Sequence, residues 1–303
     1  LSLFEPPQPP GNTARPGRNP GERVRRRAFQ RAVREFLARE KPLATLEAST
    51  LDAFVIRVGG GGSRVQGEQP GPPALVMAAE HFNRIARLVE KNVEVELEID
   101  VRARFHDGDA MAYNTIAEIA GTDPDKKDEV VMVGAHLDSW HGATGATDNA
   151  AGTAVAMEVM RLLKGTKLRR TIRLGLWTGE EQGLLGSAAY VRDHLGSRVA
   201  PTLGAEDSAP GRRRRAGPLV LKPDHAKFSV YFNLDNGTGK VRGVWGQGNA
   251  AAVPVFESWI KPLSDLGVAA VSLRGVRGTD HLSFDAVGLP AFQMIQDEVD
   301  YET

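Results

Sequence analysis

The chain has 303 residues, with 38 Lys and Arg against 38 Asp and Glu, so no overall field draws it to nucleic acid or to an anionic membrane. Hydrophobic residues make up 41% and charged residues 25%, a balance that excludes disorder throughout and fits a globular chain with one full domain and room for a smaller one. Cysteine is absent, which excludes a disulfide scaffold, a thiolate zinc site, an iron–sulfur cluster and a cysteine nucleophile, and leaves His, Asp and Glu to hold any metal.

No uncharged apolar run approaches the roughly 18–20 residues of a membrane span. The chain opens Leu1-Ser2-Leu3 without a signal-like stretch, as a mature form or a fragment would, so no leader reveals its compartment. Residues 1–23 hold six Pro and three Gly and too few large apolar groups to offset the entropy of ordering them, which predicts a disordered lead-in. From Val24 to Glu40 the apolar positions Val24, Ala28, Val33, Phe36 and Leu37 recur at helical spacing before Pro42, predicting an amphipathic helix whose many arginines form a solvated face. Phe54–Val58 is a β-branched run leading into Gly59–Gly62, a loop without the Gly-Lys-Ser/Thr of a phosphate cradle. A helix is expected over His81–Lys91. Val93–Ile99 alternates apolar and acidic residues, the period of a half-exposed strand. Residues 24–108 thus read as a small α+β module with no catalytic constellation.

From Tyr113 the texture changes. Strands are predicted at Asn114–Ala120, Glu129–Ala135, Thr171–Trp177, Phe228–Leu234 and Ala291–Ile295, with helices near Ala150–Leu163, Leu184–Leu195 and Val253–Leu266. Apolar strands separated by helices imply an α/β fold with a mostly parallel or mixed central sheet and helices on both faces. Residues 201–218, with the run Arg212–Arg215, read as an exposed loop.

In such sheets functional groups gather beyond the carboxyl ends of strands. Three strands run into candidate ligands there: EVVMVGA into His136 and Asp138, TIRLGLW into Glu180 and Glu181, and FSVYFNL into Asp235, while Asp148 opens the next helix. One imidazole with several carboxylates suits zinc, and a carboxylate can bridge two ions. Singly these signals are weak, because a strand-terminal Asp is often a helix cap. Three strand ends of one kind point to a metal site.

The segments Gly134–Trp140 (GAHLDSW), Gly145–Gly152 (GATDNAAG), Trp177–Ser187 (WTGEEQGLLGS) and Asn233–Asn236 (NLDN) resemble, in that order, the co-catalytic zinc exopeptidases of metallopeptidase family twenty-eight. The likeness runs over roughly residues 109–300, and residues 24–108 resemble more loosely part of the protease-associated module many of these enzymes carry. The resemblance implies a zinc exopeptidase fold and two zinc ions. Asp148 would bridge them, with His136 and Asp235 completing one shell and Glu181 binding the other ion. Glu180 would be the general base, and Asp138 would orient the His136 imidazole, although a plain turn residue also explains Asp138. A peptide substrate, hydrolysis of a terminal peptide bond (aminopeptidase action ahead of carboxypeptidase or dipeptidase action) and a secreted or periplasmic setting follow from the same likeness.

The match departs from the family pattern at one point. Family members supply a further histidine after the last core strand, and here no histidine lies beyond His281, whose own segment Gly278–Asp285 resembles a motif at the rim of the site. The expectation is a peptidase domain over 109–303 that is incomplete at its carboxyl end, with the Glu181 ion under-coordinated and this chain alone inactive. The rival class is a non-catalytic binding protein on the same fold. A free base beside a metal ligand, as in Glu180-Glu181, has no use in such a module.

Overall fold

The computed structural model describes residues 20–50, 56, 71–102, 111–140, 142–199, 217–235 and 239–297. These fall into two units, one within Pro16–Asp107 and the other from Gly108 onward. The start of the expected lead-in, Phe54–Val58 apart from Ile56, the Gly59–Gly62 loop and Arg212–Arg215 lie outside the described residues.

In the smaller unit helix α1 spans Pro20–Glu40. It begins four residues before the expected Val24, because Pro20 is preset for the first helical position. Strand β1 (Thr45–Ala48) pairs in parallel with β2 (Ala74–Met77), Thr45 opposite Ala74 and Ala48 opposite Met77, and helix α2 (Ala79–Glu90) follows. Val93–Ile99 is not a strand, and Val93, Leu97 and Ile99 are exposed. Its alternation meets the period, but a strand also needs a neighbour for its N–H and C=O groups, and among the described residues none pairs with it.

The larger unit contains β3 (Thr115–Ile119), β4 (Val130–His136), α3 (Ala151–Leu163), β5 (Thr171–Trp177), α4 (Leu185–Tyr190), β6 (Gly196–Arg198), β7 (Leu219–Leu221), β8 (Phe228–Asn233), β9 (Val241–Trp245), α5 (Val253–Ile260), β10 (Ala270–Ser272), α6 (His281–Asp285) and β11 (Ala291–Gln296). Seven strands form one mixed sheet in the order β10-β9-β11-β8-β4-β5-β3, and β6 and β7 make a separate antiparallel pair. The centre, β11, β8, β4 and β5, is parallel, while β3 runs antiparallel to β5 and β9 antiparallel to β11.

β4 is an apolar run up to His136 rather than an alternating one, as a strand covered on both faces is, and β5 shares that character from Leu174 onward, beyond Arg173. On one face Met132 and Trp177 pack with Tyr190 of α4, Tyr231 of β8 and Phe284 of α6. On the other, Leu174 and Leu176 pack with Val133 and with Ala156 and Met160 of α3. Phe232, in register with Val133, continues that second face toward Val244, Phe292 and Phe256 of α5. Helices therefore cover both sides, and each large side chain so buried contributes about 1.5–3 kcal/mol. The parallel centre brings the carboxyl ends of β4, β5 and β8 to one edge.

Candidate metal centre

His136 is the last residue of β4 and is 1% exposed. Its Nε2 lies 2.9 Å from Asp148 Oδ1 and 3.3 Å from Asp235 Oδ1. Its Nδ1 is 2.9 Å from the Asp138 carbonyl oxygen and 3.5 Å from the Asp138 carboxylate. The ring is thus steadied more closely by a backbone carbonyl than by the carboxylate expected from sequence. The Asp138 carboxylate also accepts the peptide N–H groups of Glu180 (3.0 Å) and Glu181 (3.2 Å). One short side chain so ties the loop after β4 to the loop after β5.

Asp148 lies in the turn Ala146–Ala150, where Asp148 (φ −117°, ψ 95°) and Asn149 (φ −136°, ψ 39°) depart from helical geometry across a cis peptide. Asn149 is buried. Its Oδ1 accepts the Gly152 N–H at 3.1 Å, as a helix-capping side chain does for α3, and its Nδ2 donates to the Leu234 carbonyl at 2.9 Å. Asn149 therefore links the residue after Asp148 to the residue before Asp235. Gly152 is required for this approach, since a Cβ there would sit 2.3 Å from the Leu234 oxygen and 2.4 Å from Asn149 Oδ1.

Glu180 and Glu181 follow β5 in a tight turn closed by Gly183 N–H and Leu184 N–H donating to the Glu180 carbonyl. The turn is anchored from β3's side by Asn114, whose Oδ1 accepts Thr178 N–H (3.2 Å) and whose Nδ2 donates to the Gly186 carbonyl (2.9 Å). The structure brings all six sequence candidates together. His136, Glu180 and Asp235 form one group of donor atoms lying within 4.8 Å of each other, and His136, Asp148 and Glu181 form a second. Glu180 is as close to the His136–Asp235 pair as a ligand would be.

His281 is not in either group. It is fully buried and contacts the Gln247 carboxamide, and burial pushes its imidazole down to about 4, so the ring is neutral. Its neighbour Asp280 was not singled out in the sequence. That carboxyl is fully buried, and burial, then the Asp235 charge, holds it up at about 7 against an opposing contact with Ser187. The only sequence signal was its place in the Gly278–Asp285 segment.

The electrostatics of the site are those of crowded carboxylates. Burial disfavours a charged His136, but Asp138, Asp148 and Asp235 outweigh it and raise the imidazole far above its ordinary value. Burial also opposes ionisation of Asp138, and the His136 contact with the two peptide N–H groups prevails, lowering it. Burial, then the nearby Asp235 charge, pushes Glu180 up to about 9. Burial and the Asp148 charge push Glu181 up to about 7. One imidazole raised far above its ordinary value and two glutamates raised to about 9 and about 7 stand among further carboxylates, a donor set whose protons a divalent cation would replace, and the mixed nitrogen and oxygen donors fit zinc.

Comparison with known proteins places the fold. The chain is similar to carboxypeptidase Q of Pongo abelii, 27% identical over 234 residues that make up 77% of this chain and 43% of that protein. It is similar to leucine aminopeptidase 2 of Trichophyton equinum, 36% identical over 126 residues, 42% of this chain and 24% of that protein. The chain thus spans less than half the length of these relatives. Among solved structures it resembles a peptidase M28 precursor from Shewanella amazonensis, with a TM-score of 0.57 at 26% identity over 86% of this chain and 52% of that one. An aminopeptidase from Aneurinibacillus sp. strain AM-1 shares the fold, with a TM-score of 0.53 at 20% identity over 87% of this chain and 57% of that one. The model of peptidase family M28 matches residues 114–302, the stretch that builds the mixed sheet and every strand end converging on His136, and on that match the chain belongs to peptidase family M28.

Proposed function

We propose that this chain carries the catalytic centre of a zinc-dependent exopeptidase. The observation that supports it is the meeting of His136, Asp148, Glu180, Glu181 and Asp235 at one carboxyl edge, in two overlapping groups each within 4.8 Å. In this reading His136, Asp148 and Glu181 would hold one zinc ion, and Asp235 with Asp148 would hold a second. Zinc bound there supplies Lewis acidity, polarising the scissile carbonyl and making water a stronger acid near neutral pH.

The remaining chemistry belongs to the chain. Glu180 carries no ion in this assignment and its backbone is pinned by Asp138. With cationic charge held by its neighbours its carboxyl ionises, because an opposite charge nearby favours the charged form. Glu180 then takes a proton from the attacking water as the new C–O bond forms, and hands it to the amide nitrogen as the C–N bond breaks, so the amine departs neutral. Asp138 holds the Glu180–Glu181 turn in place. The substrate end assigned first is a free amino terminus. The five carboxylates of Asp138, Asp148, Glu180, Glu181 and Asp235 outnumber the charges of two zinc ions, and a negative site favours a protonated amine over a terminal carboxylate.

Glu180→Gln tests the reading. The amide cannot accept the proton yet binds no ion, so in an active form of the protein turnover of aminoacyl anilides should fall about 10²- to 10⁴-fold with zinc content unchanged. Wild-type turnover in that variant would remove Glu180 from the role of base. Faster cleavage of N-acylated peptides from their carboxyl ends would overturn the choice of terminus.

A further inference from the structure

Beneath the strand ends lies a buried run of hydrogen bonds that the proposed chemistry does not use. Trp177, the last residue of β5, has an indole that can only donate, and its Nε1 is 2.8 Å from Tyr231 Oη. Tyr231 Oη lies 2.6 Å from Asn233 Oδ1. Asn233 Nδ2 lies 2.7 Å from Thr279 Oγ1 and 2.7 Å from Gln293 Oε1. Thr279 Oγ1 also accepts the Asp280 N–H at 2.7 Å. All five side chains are buried.

The run has one direction. Because Trp177 donates, the Tyr231 oxygen accepts and its own hydrogen must go to Asn233 Oδ1. That fixes the carboxamide, so that both Nδ2 hydrogens go to Thr279 and Gln293. Turning the Asn233 amide over would leave the Tyr231 hydroxyl accepting twice, with its hydrogen unused in an interior where an unmade bond costs about 1–3 kcal/mol.

The members stand directly behind the candidate ligands. Trp177 is three residues before Glu180, Asn233 two before Asp235, and Thr279 adjoins the buried Asp280. A Cβ on Gly134, two residues before His136, would come within 2.9 Å of Tyr231 Oη, so the hydroxyl also bears on β4. The run crosses from β5 through β8 to β11 and to the turn before α6, and in a low-dielectric interior its bonds reinforce one another.

We propose that Asn233 is a positioning residue for metal capture: its carboxamide, oriented by Trp177 through Tyr231, locks the ends of β5 and β8 to the Thr279 turn so that Asp235 meets His136. This inference rests on the zinc reading given above. Outer partners of metal ligands are typically worth about 10- to 100-fold in affinity, and Asn233 acts one step further back through the strand it belongs to.

The test uses the full chain, with zinc affinity read by competition with a chelating dye and the site geometry read from the visible absorption of added cobalt(II). Thr279→Val keeps the side-chain shape and removes the oxygen that receives Asn233, whereas Thr279→Ser keeps that oxygen. Asn233→Asp sets a carboxylate oxygen against Gln293 Oε1 and reverses the bond to the Thr279 hydroxyl, which would have to donate. The expected result is zinc affinity lower by about 10-fold or more in Thr279→Val and Asn233→Asp, with an altered cobalt spectrum, and wild-type behaviour in Thr279→Ser. If Asn233→Asp does not fold, the Thr279 pair carries the test. Wild-type affinity and spectrum in a folded Thr279→Val, or an equal loss in Thr279→Ser, overturns the inference while leaving the zinc site standing. Failure of the wild-type chain to bind zinc at all overturns the reading beneath it, and this inference with it.

Discussion

Gly152→Ala sets two effects of opposite sign against each other, and their sizes decide the outcome. Gly152 is the second residue of α3, where alanine's helix propensity would stabilise by up to about 1 kcal/mol. Against that, the new methyl would lie 2.3 Å from the Leu234 carbonyl oxygen and 2.4 Å from Asn149 Oδ1, where ordinary contact begins at 3.4 Å. The Leu234 oxygen belongs to the backbone just past the end of β8 and is held by the Asn149 amide, so it cannot readily turn away. Overpacking of this kind costs about 1–3 kcal/mol, and losing one of the two Asn149 hydrogen bonds adds about 0.5–1.5 kcal/mol. The net expectation is a loss of about 0.5–4.5 kcal/mol, measured by urea unfolding with chelator present so that no metal contributes. Because Leu234 precedes Asp235 and Asn149 follows Asp148, zinc affinity should fall as well. A double-mutant cycle with Asn149→Ala should show a non-zero coupling, since it removes one of the two obstacles. A Gly152→Ala chain as stable as the wild type, or more so, would mean that propensity prevails and the close approach is not a constraint.

Three further outcomes follow from the same structure. Phe284 is fully buried with ring centroids of Tyr231 at 4.4 Å, Phe228 at 5.3 Å and Trp177 at 6.0 Å. Phe284→Ala should therefore cost about 3–5 kcal/mol in denaturant unfolding, and a loss near zero would show that this layer is not the core. In the metal-free chain Glu180 and Glu181 are raised to about 9 and about 7, so the folded form binds more protons than the unfolded one. Their contribution is complete below about 4.5 and is lost as pH rises through 7 and then 9, and the melting temperature with chelator should fall over that window, whereas a flat or rising profile from pH 6 to 9 would contradict the crowding. Asp138→Asn leaves one acceptor for two peptide N–H donors, and should lower zinc affinity about 10- to 100-fold with a smaller effect on unfolding, while unchanged affinity would show that the Glu180–Glu181 turn holds its own shape.

How far the sequence could be read depended on the range of the interactions involved. Thr171–Trp177 is the same strand in sequence and structure, and Phe228–Leu234 and Glu129–Ala135 shift by a single residue at their ends, because short runs dense in β-branched and aromatic residues stand out even where Arg173 or Ser229 interrupts them. Val241–Trp245 and Ala270–Ser272 were not foreseen, since five residues with a central glycine and three residues alone carry no usable period. Val93–Ile99 has the right period and no partner. At the site, the charged candidates were visible because each ends a legible strand. The amides that hold them were not: Asn149 reaches the Leu234 carbonyl 85 residues away, and Asn233 reaches Gln293 60 residues away, partners that only the closed sheet brings together. Asp138 is expected to face the imidazole, and its carboxylate lies 3.5 Å from His136 Nδ1 while also accepting two peptide N–H groups of the next loop, a second duty that spacing alone does not reveal.

The strand order has a consequence for how the protein is made. β8 and β9 are consecutive in the chain, yet β11 lies between them, parallel to one and antiparallel to the other. During vectorial synthesis β9 and β10 can form only a narrow ribbon, and β8 keeps a bare edge, until residues 291–296 emerge to join them. At about 5–20 residues per second, the stretch from Trp245 to Gln296 occupies the ribosome for on the order of 3–10 s. During that interval two apolar sheet edges are open to other nascent chains. Release of the chain before Ala291 would make those edges permanent, so ribosome pausing ahead of the closing strand should raise aggregation more than pausing at any earlier point in this unit.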